Sequence, residues 1–174
     1  MDFMTRRSIR KYQNKPIEKE KIEEIIKCAL VAPTGRNSHS THFVVVDDKE
    51  KIEKLSQARE HGGSFAKEAP IVIAVMGDKE KSSTVEADCC IGAFAIQMEA
   101  HELGLGSCWI HIRNRLNAQE VPSEAVVREI VGAPDNYIVM CLIAIGYPEE
   151  LKPAHNEKEI DFSRVSLNNF DCKK

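Results

Sequence analysis

The sequence lacks an excess of charge of either sign: 24 basic and 27 acidic residues leave a formal net charge of −3 over 174 residues. No single-signed field therefore marks nucleic acid or an anionic membrane as the main partner, and a small molecule or a second copy of the chain is expected instead. A long apolar run is missing too. The longest, Cys89 to Met98, is about half of what a bilayer span requires and is flanked by Asp88, Glu99 and Glu102, so it reads as a buried helix. The opening Met1-Asp2-Phe3-Met4-Thr5-Arg6-Arg7 carries charge where an export signal needs an apolar segment, and a cytoplasmic protein is expected. The six cysteines (Cys28, Cys89, Cys90, Cys108, Cys141, Cys172) contain no C-x-x-C pair and no matching histidine spacing, so no metal centre is expected. Reduced, packed thiols are expected instead. Cys89 and Cys90 are included, because neighbours on a helix point about 100° apart and do not meet. There is no P-loop signature, and Gly104-Leu105-Gly106 lacks the full G-x-G-x-x-G spacing and follows a helix, which excludes a Rossmann site.

What is present suits one domain. At 43% hydrophobic residues the chain can bury one core but not two comfortable ones. Ile22, Ile25, Ile26, Ala29 and Leu30 recur at helical spacing within a segment from Ile17 to Ala32, with Glu18 and Glu20 suiting its first turn. Ala32-Pro33-Thr34-Gly35 breaks that helix. The runs 42–46 and 71–76 do not alternate, which predicts interior strands covered on both faces. Thr84 to Leu103 is apolar at a helical period and predicts a long central helix buried around most of its circumference, closed by Gly104 before a short strand. Ser123 is expected to cap a short helix ending at Gly132, and Tyr137 to Ile145 to form a last strand. The order of elements implies an α+β or α/β sandwich. From Glu149 to Lys174 the chain is polar with scattered apolar residues (Ile160, Phe162, Val165, Leu167, Phe170), a tail that needs a neighbouring surface.

Three stretches carry candidate chemistry. Arg6-Arg7-Ser8-Ile9-Arg10 packs three guanidinium groups and a hydroxyl into five residues. Such forks match phosphate oxygens, and alternate residues of an extended segment, Arg6, Ser8 and Arg10, can converge on one anion; a solvated basic terminus would look the same. Ala32-Pro33-Thr34-Gly35-Arg36-Asn37-Ser38 offers backbone and amide donors in one irregular loop, or is a plain loop. Gly104-Leu105-Gly106-Ser107-Cys108-Trp109-Ile110 joins the long helix to the following strand.

In order and separation these stretches, together with Ile143-Ala144-Ile145-Gly146-Tyr147-Pro148, resemble the R-R-S-x-R, A-P-S-G-x-N-S, G-L-G-S-x-W-I and G-Y-P elements of the nitroreductase family. The resemblance runs from about residue 3 to 165. It implies an α+β fold, a three-layer α/β/α sandwich with a mostly antiparallel sheet and a long buried central helix, in an intertwined homodimer with FMN at the interface. The activity implied is ping-pong hydride transfer from NADH or NADPH to a small-molecule acceptor such as a nitroaromatic or a quinone. Arg6, Arg7, Ser8 and Arg10 would hold the flavin's phosphate, ribityl and pyrimidine side, while Pro33, Thr34, Gly35 and Asn37 would come from the other subunit. Backbone near Trp109, Ile110 and His111 would face the ring, and Lys152 or His155 would approach the phosphate. No catalytic base is implied, since the cofactor carries the chemistry. His39-Ser40-Thr41 stands where the family often has Gln-Pro-Trp, and His111 where it commonly has glycine. A specialised branch such as a reductive dehalogenase, or a non-catalytic flavin-binding module, stays open; the short stretch between Ser56 and Ala69 favours an open site over a lidded one.

Overall fold

The computed structural model describes residues 2–170; Cys172 and the end of the tail lie outside them. Eight regular elements follow in chain order: α1 (Lys19–Val31), β1 (Thr41–Val46), α2 (Lys49–Ser56), β2 (Ile71–Asp78), α3 (Val85–Glu102), β3 (Gly106–His111), α4 (Ser123–Val131) and β4 (Tyr137–Gly146). The four strands form one antiparallel sheet in the order β1-β2-β4-β3. Among the described residues no helix is long and apolar enough to cross a membrane.

The two central strands divide their side chains between two cores. Ile71, Ile73 and Val75 of β2 with Ile143 and Ile145 of β4 pack against Ile25 and Ala29 of α1 and Cys89, Ala93, Ile96 and Ala100 of α3. Val72, Ala74 and Met76 with Leu142 and Ala144 pack against Ile52 and Leu55 of α2 and Val127 of α4. Helices therefore cover both faces of the sheet, which is why β2 and β4 read as unbroken apolar runs despite their antiparallel pairing. A bulge opposite Val75 and Met76 skips Met140, so Met140 and Cys141, adjacent in sequence, both face the α1/α3 core.

Three expectations are corrected. The run at 42–46 is not interior: β1 is an outer strand, half exposed, with Phe43 against Gly92 of α3 and Val45 turned to solvent. A short apolar run does not distinguish an edge from a centre when both of its faces meet core residues, as Phe43 does on one face and Val44 and Val46 do on the other. Ser123 does not cap α4; Pro122 holds the cap position, and the buried Ser123 hydroxyl has no hydrogen-bond partner among the described residues. The helix α3 is buried around most of its circumference as expected and exposes one stripe, Ala87, Cys90, Ile91 and Phe94, with the ring of Phe3 stacked 6.0 Å from that of Phe94. Cys90 is consequently on the surface, whereas Cys89, one residue earlier, is fully buried and its thiol is pushed up to about 12 by burial. The helix ends as expected at Gly104, which takes a left-handed φ of 75°, as Gly132 does after α4 with φ 72°.

Candidate active site

The extended segment before α1 forms a fifth rail beside the sheet. Ser8 bridges Ser107 in parallel, and the Ile9 amide donates to the Ser107 carbonyl at 3.0 Å. This contact needs Gly106, because a Cβ there would lie 2.7 Å from the Cβ of Ile9. Ile9 is buried, and the buried Tyr12 hydroxyl lies 2.6 Å from the Ile9 carbonyl and 3.2 Å from the Ala144 carbonyl, pinning the segment to β4. Burial raises the Tyr12 phenol far above its ordinary range, so it stays a neutral donor.

That rail brings four of the expected residues together. Arg6, Ser8 and Arg10 share a side of it, and Lys152 closes the cluster from the tail, its Nζ donating to the Ser8 carbonyl at 2.8 Å. The Cys108 thiol sits beneath them. Burial raises its pKa more than the Ser8 hydroxyl and the cations Arg10, Lys152 and Arg6 lower it, so the thiol stays protonated at neutral pH. Arg7 instead turns to the Pro153 carbonyl. The Arg10 amide donates to Glu150 at 2.6 Å while its guanidinium lies 5.7 Å over the Phe65 ring. Glu150 is also 3.5 Å from Lys152, and the Arg10 amide holds its carboxyl below the ordinary range. Of the two tail residues left open by sequence, Lys152 joins the cluster; the His155 ring faces Glu159 at 4.0 Å and its amide donates to the Met4 carbonyl.

On β3, Ile110 is buried in the α2/α4 core and offers only backbone. Trp109 and His111 are half-buried on the other face, their rings stacked 13° from parallel at 6.2 Å. Burial, with Arg115 and Arg59 nearby, holds the His111 imidazole below the ordinary histidine range.

The loop carrying Pro33, Thr34, Gly35 and Asn37 is not part of this cluster. It precedes β1, at the opposite edge of the sheet from β3 and the rail. A 3₁₀ turn spans Gly35–Asn37, and Arg36, Asn37 and His39 all take left-handed φ between 47° and 55°, a conformation that costs non-glycine residues energy. The buried carboxylate of Asp88 holds this loop: it accepts from the Gly35 amide at 2.8 Å and from the hydroxyls of Ser40 at 2.8 Å, Ser82 at 2.9 Å, Thr84 at 3.3 Å and Ser38 at 3.4 Å. Burial alone would raise the carboxyl, but these donors outweigh it and its pKa is lowered. In the sequence Asp88 stands only as the flank of an apolar run. The signal for it is a second acid beside Glu86 in the first turn of α3, four to six residues after the hydroxyl run Ser82, Ser83 and Thr84.

The Nitroreductase family profile matches residues 3–147. An FMN-dependent nitroreductase from Clostridium difficile R20291 shares 46% of its sequence, superimposes with a TM-score of 0.94, and the match covers 96% of this chain and 97% of that one. A protein of Archaeoglobus fulgidus, whose provisional name reads NADH dehydrogenase/NAD(P)H nitroreductase, is 32% identical over 85% of this chain and 84% of its own. The NADPH-flavin oxidoreductase of Vibrio harveyi is 27% identical over 87% of this chain and 67% of its own.

Proposed function

The chain belongs to the nitroreductase family, and from that premise we propose that it is an FMN-dependent NAD(P)H oxidoreductase that reduces small nitroaromatic or quinone acceptors by ping-pong hydride transfer. The observation that carries the cofactor assignment is the cluster of Arg6, Ser8, Arg10 and Lys152 against β3. Arg6 has no acidic partner among the described residues, and three cations around one hydroxyl suit a phosphate dianion. FMN, when bound, supplies the hydride-accepting chemistry. Arg6, Ser8, Arg10 and Lys152 would bind its phosphate end and fix its register along β3, and Arg7 would order the segment through Pro153. Trp109, the Ile110 backbone and His111 would line the ring side and exclude water there. A protonated Cys108 contributes packing beneath the cluster and no redox step.

The same reading requires two copies of the chain. Pro33, Thr34, Gly35 and Asn37 lie at the sheet edge away from the cluster, so their place beside the cofactor is filled from a partner. The exposed stripe of Ile91 and Phe94, with Leu30 and Val31 of α1, would be covered there, and the tail from Glu149 onward, with Leu167 86% and Phe170 90% exposed, would wrap the partner. Residues 1–174 then form one flavin-binding domain whose last part serves the neighbouring subunit.

The test is spectroscopic. The purified protein should be yellow, release FMN on denaturation, and bleach under anaerobic NADH or NADPH, with colour restored by a quinone. Arg10→Ala should weaken FMN binding by about 1–3 kcal/mol, the range for a charge-assisted contact. A yellow protein that neither nucleotide bleaches would support a flavin-binding module, and a colourless protein that takes up no FMN would overturn the reading.

A further inference from the structure

After His111 the chain turns back on itself. The Arg115 amide donates to the Ile112 carbonyl at 3.1 Å, and the Leu116 carbonyl accepts from the Glu60 amide at 3.1 Å. This clips the 113–116 turn to the loop that follows α2. The loop in turn folds onto β3 at Gly63, where a Cβ would stand 3.7 Å from Cγ2 of Ile110 and 3.9 Å from Cβ of Arg59. Two segments distant in sequence thus deliver Arg59 and Arg115 to the neighbourhood of one imidazole.

Their charges are uncompensated. The neighbouring Arg113 pairs with Glu86 at 2.9 Å and Glu124 at 2.7 Å, and Arg128 with Glu124 and Asp135. Glu60 stands 3.5 Å from His61. Glu124 and Asp135 are thus taken and Glu60 stands largely in solvent, and among the described residues the side chains of Arg59 and Arg115 have no hydrogen bond or ion pair. Arg59 is half-buried, so its guanidinium is partly withdrawn from water without a counter-charge. Arg115 is exposed at the rim, and the two cations disfavour the charged imidazole and favour an anion joining them. Glu124 is the acid that also acts on His111, but Arg113 already occupies it.

We propose that Arg59 and Arg115 form an anion subsite beside His111, and that it takes a phosphate of the nicotinamide nucleotide. The assignment rests on the flavin reading of Trp109 and His111: a nucleotide that stacks over that face must place its phosphates within a short distance of it, and two guanidinium groups at its rim match phosphate oxygens. The phosphate has two sources, the diphosphate common to NADH and NADPH and the additional monoester of NADPH.

Anaerobic stopped-flow reduction of the FMN-loaded protein separates them. Arg59→Gln and Arg115→Gln should each raise the apparent Kd for nucleotide about tenfold, the scale of one charge-assisted contact, while the limiting reduction rate stays within about twofold. Loss for NADPH alone identifies the monoester; equal loss for both nucleotides identifies the diphosphate. A second readout is calorimetric titration of the oxidised protein with pyrophosphate and with adenosine 2′-monophosphate: heat with one of them in the parent, absent in the double variant, supports the subsite. Unchanged Kd for both nucleotides in a parent that bleaches normally overturns the subsite and leaves the flavin reading intact. Unchanged reduction with a slowed reoxidation by an anionic acceptor also overturns it, assigning the arginines to the acceptor. A parent that neither nucleotide bleaches fails the flavin reading itself, and with it the nucleotide assignment; the calorimetric arm then judges the anion site alone.

Discussion

Asp88 Oδ1 accepts the Gly35 amide at 2.8 Å, joining the buried first turn of α3 to a loop in which three non-glycine residues hold left-handed backbone. The carboxylate satisfies five donors at once, so the loop's strained shape is over-determined from one point. Asp88→Asn keeps the size but replaces one acceptor oxygen with a donor facing donors. It should destabilise the protein by about 1–3 kcal/mol, the cost of a buried mispaired polar group. The pH dependence has a definite sign. Because the folded carboxyl pKa is lowered, its stabilisation is complete above the ordinary carboxylate range and disappears as pH falls through the depressed folded value. Urea unfolding of parent and variant should therefore show a gap at neutral pH that narrows under acid; a constant gap would mean that the charge is not what holds the loop.

Gly35 is the other half of that relationship. A Cβ at Gly35 would lie 2.0 Å from the Thr84 hydroxyl oxygen and 3.2 Å from its Cβ. Gly35→Ala should displace the loop and lower stability by about 1–3 kcal/mol, the usual cost of overpacking. Adding Thr84→Ala removes the hydroxyl and should recover part of that loss, a non-additivity readable in a double-mutant cycle. Strict additivity would show that the loop has another resting place.

Much of the architecture was legible because strands and helices here differ in period and length. The helix α1, the central strands, α3 and both closing glycines follow from apolar spacing and from the left-handed backbone that glycine tolerates. The position of β1 at an edge was not legible, since Phe43 packs on the α1/α3 core and Val44 on the α2/α4 core, and local sequence does not record that only one side of the strand has a hydrogen-bonded neighbour. The cluster of Arg6, Ser8 and Arg10 was readable as an extended alternation. Its neighbours were less so: Phe65 under Arg10, Arg59 and Arg115 beside His111, and Asp88 under Gly35 are brought in by long-range packing, and no local spacing encodes them.

The rail beside β3 depends on Gly106. Gly106→Ala would set a methyl against Ile9, so the segment carrying Arg6 to Arg10 must leave the strand or the strand must shift. FMN content after gel filtration should fall well below that of the parent, with a melting temperature a few degrees lower, the shift expected for roughly 1 kcal/mol in a chain of this size. Full flavin content in this variant would separate the rail from the cofactor.

Phe94 and Ile91 stand exposed on α3, with Phe3 stacked on Phe94. Phe94→Glu should leave a folded chain that cannot bury a charge at the proposed interface. Light scattering should move from near twice the 19.5 kDa chain mass toward one chain, and flavin should be lost with it, because the loop from Pro33 to Asn37 would no longer reach the cluster. A parent that scatters as a single chain with FMN bound would remove both the interface and the shared site.

His111 allows the sharpest electrostatic test. Its ring stacks on Trp109 beside the proposed flavin face, and burial, Arg115 and Arg59 all disfavour the imidazolium, so its pKa is lowered from 6.5. At neutral pH the ring is therefore uncharged, and it gains charge only as pH falls below the ordinary histidine range. An imidazolium there would make hydride arrival more favourable, because that step brings negative charge to the face. The midpoint potentials of parent and His111→Gly should thus coincide near neutrality and separate under acid, the parent becoming the higher. For an interaction of about 1 kcal/mol between partly screened charges, the separation for a two-electron couple is on the order of 20 mV. Removing Arg59 and Arg115 takes away two of the groups that suppress the charge, so in the Arg59→Gln, Arg115→Gln background the separation should begin at higher pH. Spectroelectrochemical titration across the acid range checks both statements: superimposable curves for parent and His111→Gly would mean that the imidazole does not feel the cofactor, and an unmoved onset in the arginine background would mean that the guanidinium groups do not feel the imidazole.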